Sequence, residues 1–127
     1  MATAFPVAAG LRIRRSSQSG LYTMTAAWQT IYQNAQLYAW MFAAGEIDLT
    51  NMVAGDDIEI RIGKRNVRAG AYIYKDTVLY EDQPATGFEK ITIGPIMDTF
   101  GVIIEMRQPT VAVALTTCYC EFFDAIR

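Results

Sequence analysis

A chain of 127 residues with 52 % hydrophobic and 19 % charged side chains has the composition of an ordinary folded domain, and at this size folding removes roughly 65–70 % of the unfolded surface from water. The sequence contains no histidine, which excludes Ser-His-Asp triads, Cys-His dyads and the His-based metal centres. Net charge is −2, but residues 1–20 carry three arginines and no acid, leaving −5 on residues 21–127, so the body repels phosphates and nucleic acid is not expected as a partner.

Residues 1–20 combine small residues, one proline and a Ser-Ser-Gln-Ser-Gly exit, which reads as an extended N-terminal arm outside a sandwich domain at 21–127. Phe5, Val7, Leu11 and Ile13 are apolar side chains that a purely solvated tail gains nothing by carrying. An arm that docks on a neighbour accounts for them. The opening lacks the cation-then-apolar order of a signal peptide, and the longest nearly uncharged apolar stretch, near 37–45, is about half the ~20 residues of a membrane helix. The expectation is a soluble protein made in the cytoplasm, with no membrane contact.

Residues 21–33, rich in Thr, Trp, Tyr and Ile, read as a strand region. At 36–44 apolar side chains fall on both faces, as in a strand covered on both sides, with a buried helix as the competing reading. Gly45 to Gly55-Asp56 reads as a loop crossing between sheets. At 57–62, Ile58, Ile60 and Ile62 alternate with Glu59 and Arg61, the clearest half-buried strand of the chain. A charged connection at 63–70 leads to an alternating strand at 71–80. Further strands are expected at 90–94, 95–98 and 102–108, and a long final one at 111–123 follows the break at Pro109. With no βαβ alternation and no repeat, this gives an all-β chain of about eight strands: a jelly-roll-like or Greek-key antiparallel β-sandwich, with an immunoglobulin-like topology still open.

Candidate chemistry is sparse. Cys118 and Cys120 share one face of the last strand, where two thiols fall short of the roughly four ligands of a structural metal site; they read as buried free thiols, with a disulfide as the alternative. Glu46, Asp48, Asp56, Asp57 and Glu59 could supply oxygens to Ca²⁺ or simply be solvated. Arg61, Lys64, Arg65 and Arg68 put four cations within eight residues, on and after a strand whose hairpin tip would project them, without aromatic interleaving in the cluster. Trp28, Trp40 and seven tyrosines leave a sugar-stacking surface open. No catalytic residue, cofactor or metal is expected, and the chain reads as a binding protein.

The Tyr22-Thr23-Met24-Thr25 opening with Trp28, the run GEIDLTNMVAGDDIEIRI at 45–62, FGVIIEMRQ at 100–108 and YCEFFDA at 119–125, together with the short arm, resemble the small β-sandwich capsid decoration (cement) proteins of tailed phages and related viruses. The resemblance covers most of residues 20–125 and includes no catalytic or ligand motif. It implies a virion protein on the outer capsid surface that bridges major capsid subunits, with the major capsid protein as partner and a homo-oligomer, dimer or trimer, as its form. The partner-binding residues expected are Phe5, Leu11 and Ile13 as apolar anchors, and Arg12, Arg14 and Arg15 as cations facing acids on the neighbour. A tail-associated or receptor- and glycan-binding module is the alternative, and a small carboxylate enzyme a third.

Overall fold

Period-two alternation sends successive side chains to opposite faces, and in the computed structural model it produces ten antiparallel strands with no helix among the described residues, which are 12–34, 40–81, 90–98 and 100–126. The strands are β1 (Arg12–Arg15), β2 (Gly20–Thr23), β3 (Gln29–Asn34), β4 (Trp40–Asp48), β5 (Asp57–Arg65), β6 (Tyr72–Glu81), β7 (Lys90–Ile93), β8 (Ile96–Asp98), β9 (Val102–Thr110) and β10 (Thr117–Ile126). One sheet has the order β1-β10-β4-β7, with β2 also on β10 and β8 also on β4; the other has the order β3-β9-β5-β6. Counted by position, β1 and β2 are two halves of one edge strand, and so are β7 and β8. Four positions per sheet, with the chain passing back and forth between sheets, give the jelly-roll order, and the immunoglobulin alternative falls away.

The interruptions in the two edges have local causes. Between β1 and β2 the chain bulges at 16–19, and serines replace the missing ladder bonds: the Ser16 amide donates to the Phe122 carbonyl at 2.7 Å, and the Phe122 amide donates to Ser19 Oγ at 2.9 Å. The serine run is therefore a bulge inside an edge strand, and among the described residues sheet pairing begins at Arg12, within the segment expected to be an arm. Arg12 to Arg15 pair with Ile126 to Phe123; an edge strand needs only backbone partners, so its side chains need not advertise it. Between β7 and β8, Gly94-Pro95 interrupts the pairing with β4, since proline cannot donate to a ladder.

Other boundaries also differ from the sequence expectation. Residues 45–48, expected as a loop, continue β4, and Ile47 is buried there. The described part of the 36–44 segment, from residue 40, is strand and not helix. Strand β9 runs through Pro109 to Thr110, because Pro109 lies where the β5 register shifts between Asp57 and Glu59 and no ladder donor is needed. Residues 111–116, expected as strand, form a loop.

The core fills the space between the sheets. Ile58 and Ile60 of β5 face in as expected, and Ile62 packs against the core from its margin. Tyr32 of β3 meets Phe42 of β4 edge-on at 4.8 Å between ring centres and Phe122 of β10 at 5.4 Å, and its hydroxyl donates to the Asp124 carboxylate in the opposite sheet. A buried tyrosine thus spans the sandwich with its polar tip satisfied. Gly45 makes room for this cluster: a Cβ there would stand 2.9 Å from Phe42 Cζ and 3.0 Å from Phe122 Cδ1. Gly45→Ala is expected to cost about 1–3 kcal/mol by overpacking, whereas Gly94→Ala, with nothing within 4 Å, leaves the urea midpoint almost unmoved.

Cys118 and Cys120 are fully buried on the inner face of β10, and burial pushes both thiols up to about 12. Unfolded thiols ionise near 9, so between 9 and 12 the unfolded chain binds fewer protons than the folded one. Stability is flat below this window and falls as pH rises through it, by up to about 1.4 kcal/mol per thiol per pH unit. Replacing both by alanine should flatten the alkaline limb of stability against pH, leaving the contribution of Tyr22, Tyr74 and Tyr80, which burial also raises. An unchanged slope would mean that the thiols ionise freely in the fold.

Candidate interaction surfaces

Of the residues expected to bind a partner, Arg12, Ile13, Arg14 and Arg15 form β1 and are all exposed; Phe5 and Leu11 lie outside the described residues. Ile13 is 61 % exposed, an apolar side chain left in solvent at the root of the arm. Arg15 has a partner within its own chain: its Nε donates to Glu121 Oε2 at 2.7 Å, and Nη2 donates to the Tyr119 hydroxyl at 3.2 Å. The Glu121 carboxyl is held below its ordinary range chiefly by that hydrogen bond. The strand register sets Arg15, expected to face acids on a neighbour, beside β10 of its own chain.

At one end of the sandwich two of the described loops present an apolar patch. It is built from the loop after β9, where Val111, Val113 and Leu115 are exposed and Val113 reaches 87 %, and from Val53 in the loop after β4. From Pro109 to Thr117 no residue carries charge. Beneath this surface Asp56, almost fully buried, ties the loops together. Its Oδ1 accepts from Gln108 Nε2 at 3.1 Å and from the Ala112 amide at 2.9 Å, and its Oδ2 accepts from the Val53 amide at 3.0 Å. Gln108 Oε1 accepts from the Thr116 amide at 2.9 Å. Two buried side chains thereby supply the bonds that a ladder would have given, and this is why the 111–116 run, whose apolar residues read as strand, is held as a loop.

The other sequence-level candidates are spoken for. Asp56 spends both oxygens on these bonds, Asp48 accepts from the Thr50 amide at 2.8 Å, and Glu46 pairs with Lys90 at 3.4 Å. Among the described residues no group of three or more acidic or cysteine side chains converges on a cation position. Arg61 does not project from a hairpin tip. It lies on the outer face of the second sheet, donating to Glu105 at 2.7 Å between the rings of Trp28 at 4.2 Å and Tyr74 at 3.7 Å. Arg107 also sits over Trp28, at 4.6 Å, and donates to Glu59 at 2.7 Å; Arg65 sits over Tyr72 at 4.5 Å. The aromatic partners absent from the cluster itself come from the stretch before β3 and, across the hairpin, from β6. Trp28, a candidate sugar platform, is engaged by two guanidinium groups.

Among the described strands β6 pairs only with β5, and most of its ten residues are exposed, Val78 at 47 % and Leu79 at 43 %. Beside it a cleft of about 340 Å³ opens between the sheets, lined by Ile60, Ile62, Val78, Tyr80, Ile91 and Ile93 among others. Neither this cleft nor the Asp56 network was anticipated. The uncharged 109–117 run was the available signal for the apolar end; the β6 edge left none, since pairing on one side alone does not alter side-chain alternation.

No protein-family model matches the sequence, and no curated protein is similar to it. The three-dimensional structure is similar to VP2 of infectious bursal disease virus in its subviral particle, with TM-score 0.55 and 10 % identity over 92 % of this chain and 33 % of that one. A mutant VP2 in derived T=1 particles gives TM-score 0.51 and 10 % identity, over 92 % and 32 %. Bacillus endospore appendages, described as disulfide-linked pili, give TM-score 0.50 and 12 % identity, over 91 % of this chain and 85 % of that one. The chain spans about a third of the length of VP2. At these identities the likeness is one of fold, an antiparallel β-sandwich.

Removing the Asp56 carboxylate leaves two backbone amides and the Gln108 amide without their acceptor. Asp56→Ala is expected to cost about 3 kcal/mol and to raise proteolytic cleavage in the 111–116 loop, while β-sheet circular dichroism persists below the lowered midpoint. Wild-type resistance to cleavage would show that the loop is held by something else.

Proposed function

We propose that this protein is a structural component of a virion that decorates the outer capsid surface and bridges major capsid subunits, acting by binding and not by catalysis. The observation that carries the reading is the uncharged apolar loop end, Val53, Val111, Val113 and Leu115, presented by a rigid jelly roll and pinned from beneath by Asp56 and Gln108. Such a patch fits a protein–protein contact. The likeness in fold to a protein found in viral particles supports the reading, as does the resemblance of the sequence to cement proteins. A disulfide-linked polymer is the weaker analogy, since both thiols of this chain are buried.

In this reading the apolar end faces the major capsid protein, while the arm and Ile13 reach a neighbouring subunit. Each fully buried Val or Leu contributes about 1.5–3 kcal/mol, and contacts to two or more subunits multiply through effective concentration. Val113→Asp with Leu115→Asp should therefore reduce the number of copies retained on purified particles by more than tenfold, with the melting temperature of the isolated protein little changed. Full occupancy by that variant removes the apolar end from the contact; intact virions lacking this chain altogether overturn the assignment.

A further inference from the structure

We infer that the end of the sandwich opposite the apolar loops is a protein-binding surface of its own, which takes an acidic partner surface through Lys64, Arg65 and Arg68 at the β5–β6 hairpin and through Arg12 and Arg14 at the start of β1. The topology brings these residues to one end. Residues 24 and 25 tie the start of β10 to the end of β9, since the Met24 amide donates to the Thr116 carbonyl at 2.8 Å and the Gln108 amide donates to the Thr25 carbonyl at 2.8 Å. The end of β10 and the start of β9 therefore share the opposite end. There Arg12 pairs with Ile126 and Arg14 with Asp124 in the first sheet, while in the second Val102 stands between Asn34 and Lys64, and the Arg65 amide donates to the Gly101 carbonyl. Between Arg65 and Tyr72 the chain turns, with the Gly70 amide donating to the Val67 carbonyl at 3.0 Å, and residues 66–69 are exposed.

The charge at this end is not answered within the chain. Arg15, Arg61, Lys90 and Arg107 each pair with a glutamate, whereas Arg12, Arg14, Lys64 and Arg65 form no ion pair among the described residues. Against these cations stand Asp98, at the end of β8, and Asp124, which is turned inward to accept from Tyr32. The segments that adjoin this end outside the described residues, 1–11, 35–39, 99 and 127, contain no acidic side chain and one further arginine, so they add to the charge and cannot cancel it. The guanidinium of Arg65 lies over the Tyr72 ring at 4.5 Å, and its Nε is buried without a hydrogen-bond partner; stacking holds the group in place and leaves it without a counter-charge. Cations gathered in this way contribute nothing favourable to the fold and are suited to a partner of opposite sign.

The apolar residues set among the cations select the class of partner. Val67 lies between Arg65 and Arg68, and Ile13 between Arg12 and Arg14, each 61 % exposed. Arginine mixed with exposed aliphatic side chains matches a protein surface that carries acidic and apolar groups together. Single-stranded nucleic acid binds by stacking its bases, and the rings near the cluster, Tyr72, Tyr74 and Trp28, already carry guanidinium groups. A duplex or a sulfated polysaccharide presents the charge without the apolar surface. A bilayer needs a larger inserted apolar surface than one valine and one isoleucine. The contact is electrostatic and is therefore screened by salt, unlike one made by the apolar loops at the other end. The inference does not depend on the virion assignment.

Binding of a random copolymer of glutamate and tyrosine, which carries acidic and apolar side chains together, tests it on the full chain without capsid present. At low ionic strength wild type is expected to bind the copolymer more tightly than polyglutamate, heparin, duplex DNA or phosphatidylserine vesicles at equal charge concentration, and added NaCl should weaken the binding. Lys64→Gln with Arg68→Gln should weaken it by roughly tenfold and reduce its dependence on salt. Val67→Ser should remove most of the preference for the copolymer over polyglutamate. Lys90→Gln, which removes a cation that pairs with Glu46 on the far side of the first sheet's strands, should change nothing, and every variant should keep the wild-type circular dichroism spectrum. No binding of the copolymer at low ionic strength, or equal binding by the hairpin variant and wild type, would overturn the inference. So would equal or tighter binding of heparin, DNA or vesicles, which would assign this end to a polysaccharide, a nucleic acid or a membrane. If the double variant does not fold, Arg68→Gln alone, in the exposed turn, decides the matter: a loss of about threefold supports the inference and unchanged binding refutes it.

Discussion

Strand β10 is the constraint on which the rest of the molecule depends. It is the last strand in the chain, and it pairs with the first two on one side and with β4 on the other, so the first sheet does not exist until the two ends of the described chain have met. Its alternation is strict: Cys118, Cys120, Phe122 and Asp124 face the core, while Tyr119 and Glu121 face outward. A one-residue slip would put two thiols and a phenylalanine in water and bury Glu121. Asp124 fixes the register further by accepting from Tyr32, a bond that reaches across to the other sheet. Because these contacts join residues about a hundred positions apart, loop-closure entropy must be met before they can stabilise anything, and such topologies fold slowly.

How much of this could be read from the sequence depended on whether a strand's environment is written in its own side chains. β5 was legible because solvent on one face and core on the other produce Ile-polar alternation. β1 was not, since an edge strand that covers nothing carries no burial pattern. Residues 45–48 were misread because glycine signals a turn locally, whereas Gly45 is needed for the space that Phe42 and Phe122 take from its Cβ. The 111–116 run failed in the opposite sense: its apolar residues read as strand, but Asp56, more than fifty residues earlier, captures its backbone instead of a ladder. The stack of Arg61 between Trp28 and Tyr74 is likewise a product of topology, joining β5 to the stretch before β3 and to β6.

These two polar constructions leave the molecule asymmetric. On the outer face of the second sheet, Glu59, Arg61, Glu105 and Arg107 satisfy one another beneath aromatic rings, a surface already complete without a partner. Buried or half-buried charges paired in this way are costly to expose, so that face has little to gain from a new contact. The loop end and the β6 edge have the reverse character. Their apolar side chains are exposed, and the framework that displays them is secured by bonds that lie elsewhere.

Asymmetry of this kind bears on what the protein can build. Among the described residues, the sandwich has one charge-paired face, one apolar loop patch and two unlike edges. It offers contacts of two different kinds in different directions: the end points along the strands, and the edges point across them. If copies sit side by side on a repeating surface, as the proposed function requires, their loop ends face the same way and present a row of identical apolar tips. A surface that repeats on the same spacing would engage many tips at once, so even weak individual contacts become strong through effective concentration, and one that does not repeat would hold only single copies. On the proposed function, preference for a lattice over a lone protein would then come from many weak contacts, without any single tight-binding residue.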